Sequence, residues 1–305
     1  MKKRRRLLIL IVILLLLVAG EAAWILLSYV QTGGGGEAFI DPLNGTIRSG
    51  TDSVYELAEE QMPEPPSAHI YSHRGSAGTY EHSFRAYDRA IAEGSQYIEQ
   101  DVVISSDGVL FVSHDLSAAG MTGTSAQYSS MTADTIDGLQ TKAGYKVLRL
   151  SEVFDRYKKD VNYVIELKSS GADTVDAFED IVAEYGYEDV ITVQSGDTDV
   201  LRTIEVKYPD MPKLYVCKSY GGFADSLDMP YVDIISVKAD AGLMTEANCE
   251  EAHEHGKLFS AWTLDSESSI RRAIEMGVDT YFTNDTGLAM SLEKQYGLTE
   301  RIGKK

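Results

Sequence analysis

From Ala68 onward, short apolar runs alternate along the chain with longer amphipathic stretches. The runs have the length and the β-branched and aromatic content of buried strands, and the stretches carry apolar residues at helical spacing. The pattern predicts strands at 69–72, 97–103, 163–167, 190–194, 214–217, 234–237, 258–263 and 280–283. It predicts helices at 83–93, 150–158, 174–185, 198–207, 220–226, 245–255, 267–276 and 288–296.

Regular alternation of strand and helix indicates a parallel sheet. Eight such units within about 235 residues fit a closed (β/α)8 TIM barrel of ordinary size. An open doubly wound sheet is the alternative. It is disfavoured because no glycine-rich nucleotide loop follows the first predicted strand.

The N-terminal segment differs from the rest of the chain. A basic tail at 1–6 precedes an apolar stretch at 7–30, and ~20 apolar residues suffice to cross a bilayer. Because flanking cations stay in the cytoplasm, we predict a single-pass membrane protein with a cytoplasmic N-terminus and an extracellular catalytic domain. A cleaved signal peptide is the alternative. The apolar residues that resume at Ala22 favour the uncleaved transmembrane anchor.

Two further segments are irregular in sequence. Residues 31–66 contain Gly33–Gly36 and three prolines near their end, which is typical of a linker, and the barrel is predicted at 67–298. A segment rich in serine, threonine and glycine at 115–149 forms an insert between strand 2 and helix 2. In a barrel that loop lies at the catalytic mouth, so the insert is either a lid or collar over the substrate or a surface excursion.

The composition narrows the choice of partners. A formal net charge of −19 argues against binding of nucleic acid, which requires a basic surface. The two cysteines, Cys217 and Cys249, lie on different predicted elements without metal-type spacing, so buried thiols are favoured over a disulfide. No feature of the sequence predicts an oligomeric state.

Three acids fall at the ends of predicted strands. Glu99 and Asp101 lie at the end of predicted strand 2, and Glu166 lies at the end of predicted strand 3. Because Glu99 and Asp101 are two residues apart, their side chains share one face of the strand. In a barrel the carboxyl ends of strands form the catalytic face. Three converging carboxylates repel one another unless a cation compensates. All-oxygen ligands suit Ca²⁺ or Mg²⁺ better than zinc.

Histidines and cations accompany the acids. His73 and Arg74 follow strand 1, His114 precedes the insert, and Lys168 follows Glu166 by two residues. Two histidines beside an acidic site suit a general base and a general acid, although the sequence does not say which is which. The arginine and the lysine are candidates to hold phosphoryl oxygens. The set suits metal-assisted hydrolysis of a small-molecule or lipid-derived phosphodiester.

The motifs together resemble those of the glycerophosphodiester phosphodiesterases, from about His69 to Ala289. They are His73-Arg74-Gly75, Glu99-Gln100-Asp101, Ser106-Asp107-Gly108, His114-Asp115, Glu166-Leu167-Lys168, Trp262-Thr263 and Gly277-Val278-Asp279. The resemblance implies a TIM barrel and hydrolysis of glycerophosphodiesters to glycerol 3-phosphate and an alcohol.

The resemblance also implies roles for single residues. It makes Glu99, Asp101 and Glu166 ligands of a divalent metal, and His73 and His114 the acid–base pair. It makes Arg74 and Lys168 phosphate contacts, and Trp262 an apolar wall for the glycerol or the headgroup.

The segment Tyr80-Glu81-His82-Ser83 departs from the family pattern, which commonly has Pro-Glu-Asn-Thr here. Ser83 can still cap the next helix, and His82 is interpreted as a cap-region residue, with a new contact in the site as the alternative. The alternatives are a phosphoinositide-lipase-like diesterase and a binding barrel that has lost activity. Retention of all the motif residues favours the metal-dependent enzyme.

Overall fold

The computed structural model describes residues 70–169 and 171–298, together with two short strands, Phe39–Ile40 and Ile47–Arg48, that pair antiparallel. The chain divides into two units, Met1–Pro63 and Glu64–Lys305. The predicted anchor at 7–30 and most of the predicted linker lie outside the described residues. Within those residues, no helix has the length and apolar character needed to span a bilayer.

Among the described residues of the second unit, eight barrel strands alternate with eight helices, with boundaries within two residues of those predicted. The strands are β1 (Ile70–Ser72), β2 (Tyr97–Ile104), β3 (Asn162–Leu167), β4 (Ile191–Ser195), β5 (Lys213–Cys217), β6 (Ile234–Lys238), β7 (Leu258–Trp262) and β8 (Thr280–Thr283). The helices are α1 (Phe84–Ala92), α2 (Leu150–Tyr157), α3 (Ala172–Tyr185), α4 (Thr198–Lys207), α5 (Tyr220–Leu227), α6 (Glu246–Glu254), α7 (Glu267–Glu275) and α8 (Thr286–Gln295).

Each strand pairs in parallel with the next, and β8 pairs with β1, so the sheet closes on itself. The strands are buried almost throughout, as is typical of parallel strands covered on both faces. The predicted parallel eight-stranded barrel is therefore confirmed.

The apolar residues form separate layers. Residues from alternating strand positions, such as Tyr71, Val164, Leu214 and Phe282, cluster with one another, as expected for side chains that fill the inside of a barrel. A much larger cluster joins the outer faces of the strands to the helices. Both cysteines are buried as thiols, in agreement with the prediction.

The insert has its own small core. After β2, the chain turns at Gly108 and returns as a short strand, Leu110–Val112, antiparallel to β2. The helical turns Ala119–Thr122 and Ala133–Asp137 and the 3₁₀ turn Tyr128–Ser130 follow. Their buried side chains include Met121, Tyr128 and Ile136. These side chains pack together with Val103 of β2 and Phe111 of the short strand. The segment is thus a packed structure.

Candidate active site

Three carboxylates from two adjacent strands converge. One oxygen from each of Glu99, Asp101 and Glu166 lies within 4.8 Å of the others. The strand register explains the convergence, because Asp101 on β2 lies directly beside Glu166 on β3. Glu99 is two residues before Asp101 and so shares its face of the strand. Glu99 and Asp101 are buried, and the side chain of Glu166 is only 13% exposed.

Each of the three acids is also held by an uncharged donor. The backbone N–H of Arg74 donates to Glu99 Oε2 at 2.9 Å, His82 Nε2 to Asp101 Oδ2 at 2.9 Å, and Gln194 Nε2 to Glu166 Oε2 at 3.0 Å. Because each bond occupies only one oxygen, every carboxylate keeps a second oxygen for other partners.

Two cations face the three acids. Lys168 Nζ lies 2.9 Å from both Asp101 Oδ1 and Glu166 Oε1. Arg74 Nε lies 3.2 Å from Asp101 Oδ2, and Arg74 Nη1 donates to Glu81 Oε2 at 2.9 Å. These two partly buried cations leave the group of three acids with an excess of negative charge.

This excess of negative charge, together with burial, shifts the pKa values of the acids. Burial and the neighbouring carboxylate of Asp101 raise the pKa of Glu99 well above its usual range, and the same causes raise the pKa of Glu166. Burial alone would raise the pKa of Asp101 too, but the hydrogen bond from His82 and the nearby cations hold it well below its usual range. A hard divalent cation would relieve the repulsion, so the three acids fit Ca²⁺ or Mg²⁺ as ligands.

His73 is held at the start of the loop after β1. Its Nδ1 lies 2.8 Å from Asn284 Oδ1, and Asn284 Nδ2 donates to Asp265 Oδ2 at 2.7 Å. This second bond fixes the orientation of the amide, so Nδ1 of His73 carries the proton and Nε2 keeps a lone pair. Burial, together with the charge of Arg74, lowers the pKa of His73 to about 4, which leaves the ring neutral at pH 7.

His114 has a more open environment. It follows the short strand of the insert, its side chain is 42% exposed, and its Nδ1 lies 2.8 Å from Asp115 Oδ1. The carboxylate orients the ring so that Nε2 points away from Asp115.

Six of the eight residues predicted for the site line one cavity of about 150 Å³: His73, Arg74, His114, Glu166, Lys168 and Trp262. Val216 and Phe282 join Trp262 as its apolar wall, and Trp262 Nε1 donates to the carbonyl of Ser236 at 3.1 Å. Glu99 and Asp101 do not line the cavity, but they contact Arg74 and Lys168, which do. The structure therefore brings all eight predicted residues together.

The loop between β1 and α1 has an unusual backbone. Arg74 has a φ of 59° and His82 a φ of 53°, values that non-glycine residues seldom adopt. The N–H of His82 donates to the carbonyl of Arg74 at 3.0 Å. The interpretation of His82 as a cap-region residue is wrong: Ser83 alone caps α1 through a bond from Ala86 N–H, and His82 is buried against Asp101. Because its buried imidazole contacts the carboxylate of Asp101, His82 belongs to the site.

Sequence reasoning missed three other polar residues. Gln194 on β4 lies beside Glu166 in the strand register, and Asn284 and Asp265 orient His73. Each stands at or just beyond the end of a predicted strand, which is the position where barrel enzymes place functional groups. That position could have identified the three residues as candidates for the site, although none of them belongs to a motif of several residues.

A closed parallel barrel whose strands and following loops bring acids, imidazoles and cations around one cavity has the architecture of a barrel enzyme. The sequence pattern of the "Glycerophosphoryl diester phosphodiesterase family" matches residues 73–288, which is more than half of the chain. The chain belongs to the glycerophosphoryl diester phosphodiesterase family, and it is an enzyme.

Individual relatives agree with this assignment. A glycerophosphodiester phosphodiesterase of Bacillus subtilis (strain 168) is 25% identical over 272 residues, which cover 80% of this chain and 92% of that protein. The crystal structure of a glycerophosphodiester phosphodiesterase of Thermotoga maritima matches with a TM-score of 0.63 and 23% identity, over 74% of this chain and 98% of that one. An Oleispira antarctica phosphodiesterase in complex with the product sn-glycerol-3-phosphate matches with a TM-score of 0.68 and 17% identity, over 78% of this chain and 99% of that one. At these identities the two solved structures support the fold.

Proposed function

We propose that the enzyme hydrolyses glycerophosphodiesters to glycerol 3-phosphate and an alcohol, with a divalent metal and an acid–base pair of histidines. The observation that carries the proposal is the convergence of three carboxylates beside one cavity that two histidines line. The family of the chain favours this function over a phosphoinositide-lipase-like diesterase or an inactive barrel.

Glu99, Asp101 and Glu166 would hold the metal, Ca²⁺ or Mg²⁺. When bound, such an ion supplies positive charge that stabilises the developing charge on phosphoryl oxygens. The hydrogen bonds from Arg74 N–H, His82 and Gln194 keep the three acids in place, as the outer partners of metal ligands commonly do.

His73 acts as the general base. The bond to Asn284 Oδ1 places the proton on Nδ1, so Nε2 can accept a proton from the attacking oxygen. The low pKa keeps this nitrogen unprotonated at neutral pH.

His114 acts as the general acid. Asp115 orients its ring, and a carboxylate on Nδ1 is compatible with an imidazolium that gives up its Nε2 proton. The bond between phosphorus and the leaving oxygen breaks, and the alkoxide that departs takes this proton. The water that enters supplies the new oxygen on phosphorus.

Arg74 and Lys168 contact the phosphoryl oxygens, and Trp262 forms the apolar wall of the glycerol site. Both cations line the cavity together with the histidines. Their charges offset those of the acids in the protein alone and are positioned to attract an anionic substrate.

The enzyme acts at the outer surface of the cell membrane, tethered by the anchor at 7–30. The support is the sequence alone: five cations followed by an apolar stretch long enough to span a bilayer.

Turnover of glycerophosphocholine by the full-length protein, purified in a non-ionic detergent, tests the proposed chemistry. Glycerol 3-phosphate should form with Ca²⁺ or Mg²⁺ and should not form in excess chelator. Asp101→Asn should remove activity and also the thermal stabilisation by the metal. Full activity in chelator would refute the metal requirement.

A further inference from the structure

Asp265, in the loop between β7 and α7, holds Asn284 with both of its carboxylate oxygens. Oδ1 accepts from the backbone N–H of Asn284 at 2.7 Å, and Oδ2 accepts from Asn284 Nδ2, also at 2.7 Å. An ionised carboxylate only accepts hydrogen bonds. The NH₂ group of Asn284 must therefore face Asp265, and its side-chain oxygen must face His73.

Backbone hydrogen bonds fix the two loops on either side of this contact. The N–H of His73 donates to the carbonyl of Thr283 at 3.0 Å, and the N–H of Ala77 donates to the carbonyl of Asn284 at 2.6 Å. Because the backbone is held at both residues, the orientation of the Asn284 amide is the part of the arrangement that Asp265 decides.

That orientation determines which nitrogen of His73 carries the proton. An oxygen that faces Nδ1 requires the proton there and leaves Nε2 with a lone pair, whereas an NH₂ group that faces Nδ1 requires the reverse. The proposed base takes its proton at Nε2, so it needs the first of these tautomers. A histidine held in the other tautomer cannot act as the base.

We propose that Asp265 is a positioning residue for the base: its carboxylate fixes the amide of Asn284, and the amide selects the tautomer of His73 that can accept a proton. The inference rests on the proposed function, in which His73 is the general base. It assigns to the loop after β7 a role in proton transfer that is exerted entirely through Asn284.

Substitution of Asp265 by asparagine should reverse this orientation. The backbone N–H of Asn284 still requires an acceptor, so the oxygen of the new amide takes the place of Oδ1 and its NH₂ group takes the place of Oδ2. The side chain of Asn284 must then turn its oxygen toward position 265 and its own NH₂ group toward His73. The proton moves to Nε2, and the ring no longer serves as a base.

The order of two single variants tests this role in the full-length protein, with glycerophosphocholine and added metal. Asp265→Asn should lower kcat about 100-fold, within the usual contribution of a general base, with little change in KM. Asp265→Ala removes the constraint on Asn284 without reversing it, so its loss of kcat should be smaller. A merely structural role predicts the opposite order, because the alanine variant retains neither hydrogen bond.

Exchange of the two residues should restore activity. In the double variant Asp265→Asn/Asn284→Asp, the carboxylate at position 284 can accept both from the new NH₂ group and from Nδ1 of His73. The correct tautomer returns, and most of the kcat lost in Asp265→Asn should be recovered.

The pH profile of the double variant gives a second measurement. The other titratable or charged groups that act on His73 are Arg74, His82 and Asp101, and all three are unaltered. A carboxylate beside the ring favours the charged imidazolium, so the pKa of His73 should rise from about 4. Since the base must be neutral, the acidic limb of kcat/KM should move to higher pH than in the unaltered enzyme.

Asp240→Asn is the matched control. Asp240 follows β6 on the same face of the barrel and pairs with Lys238 at 3.2 Å. The variant removes the same charge from a residue whose partner is a lysine instead of Asn284, and its kcat should be unaltered.

The outcomes separate this inference from the proposed function. Unaltered kcat in Asp265→Asn, a loss in Asp265→Ala as large as in Asp265→Asn, or no recovery in a folded double variant would overturn the inference and leave the proposed function intact. Asp265 is exposed, so the single variants should fold, and their order decides even if the double variant does not. Failure of the unaltered enzyme to hydrolyse glycerophosphocholine with Ca²⁺ or Mg²⁺ would overturn the proposed function, and the inference with it.

Discussion

His82 donates from Nε2 to Asp101 Oδ2 at 2.9 Å, and both side chains are buried. The other ring nitrogen lies 3.0 Å from the hydroxyl of Tyr87 on α1, which can donate to it. Burial lowers the pKa of His82, so the ring is neutral and its proton is on the side of Asp101. A chain of two bonds thus links α1 to a carboxylate proposed as a metal ligand.

Loss of this bond should weaken metal binding. We expect His82→Ala to reduce the affinity for the divalent ion by about 10- to 100-fold, as is usual when the outer partner of a ligand is removed. Isothermal titration with Ca²⁺ and with Mg²⁺ measures the change. His82→Asn introduces the residue that the family commonly has here and retains a donor, so it should recover most of the affinity. Unaltered affinity in His82→Ala would show that Asp101 does not need the bond.

Substitution of each histidine should lower the rate by an amount that depends differently on the leaving group of the substrate. His114→Ala should lower kcat on glycerophosphocholine by ~10²–10⁴-fold, the usual contribution of a general acid. The loss should be much smaller on the p-nitrophenyl diester of glycerol phosphate, because p-nitrophenolate leaves without a proton. His73→Ala should affect both substrates alike, since the base acts on the attacking oxygen. The opposite pattern in steady-state kinetics would exchange the two roles.

Gly75→Ala should destabilise the barrel. Gly75 has a φ of +96°, and a Cβ there would lie 2.4 Å from Cβ of Ala86 on α1. We expect a loss of about 3 kcal/mol in the free energy of unfolding, from left-handed backbone and overpacking together. Gly108→Ala is the matched control, because Gly108 has a φ of +84° but open space around it. Chemical denaturation should show a clearly smaller loss in the control.

Glu293 should make the protein less stable as the pH rises. Burial raises its pKa to about 7, and the hydroxyl of Tyr281 donates to its Oε1 at 3.1 Å. The folded state therefore binds this proton more tightly than the unfolded state does. The stabilisation is complete below the unfolded pKa of 4.5 and is lost as the pH rises through about 7. The total effect is ~3 kcal/mol.

Glu293→Gln keeps the acceptor and removes the charge, so it should raise the thermal midpoint at pH 8 relative to the unaltered enzyme, with little gain at pH 4.5. Glu275→Gln is the matched control, because Glu275 also accepts from a tyrosine, Tyr296, but on the surface. An equal effect of Glu293→Gln at both pH values would show that the carboxyl group does not titrate in this range.

The barrel could be predicted from sequence because its elements are encoded locally. Each strand is a continuous buried run and each helix has its own apolar face, so the boundaries follow from residues nearby. Glu99 and Asp101 share a strand face by spacing alone. Their approach to Glu166 follows once neighbouring strands are parallel and in register.

The contacts of single polar residues could not be predicted in this way. Asn284 lies 211 positions from His73 along the chain, and no local pattern indicates their hydrogen bond. His82 bonds to Asp101 from a loop residue with a positive φ, a backbone conformation that non-glycine residues seldom adopt and that no local pattern indicates. The contact of His73 with Asn284 depends on closure of the barrel, because β8 must pair with β1. The contact of His82 with Asp101 depends on the path of the loop between β1 and α1.

Pairing of β8 with β1 has a consequence for the time at which activity arises. The acids and Lys168 come from early strands, but the partner that orients the imidazole of His73 comes from the loop after the last strand. During synthesis, a nascent chain that stops before Asn284 holds every proposed metal ligand and still lacks an aligned base. In the proposed mechanism, catalysis therefore begins only when the last strand has been made and has docked beside the first.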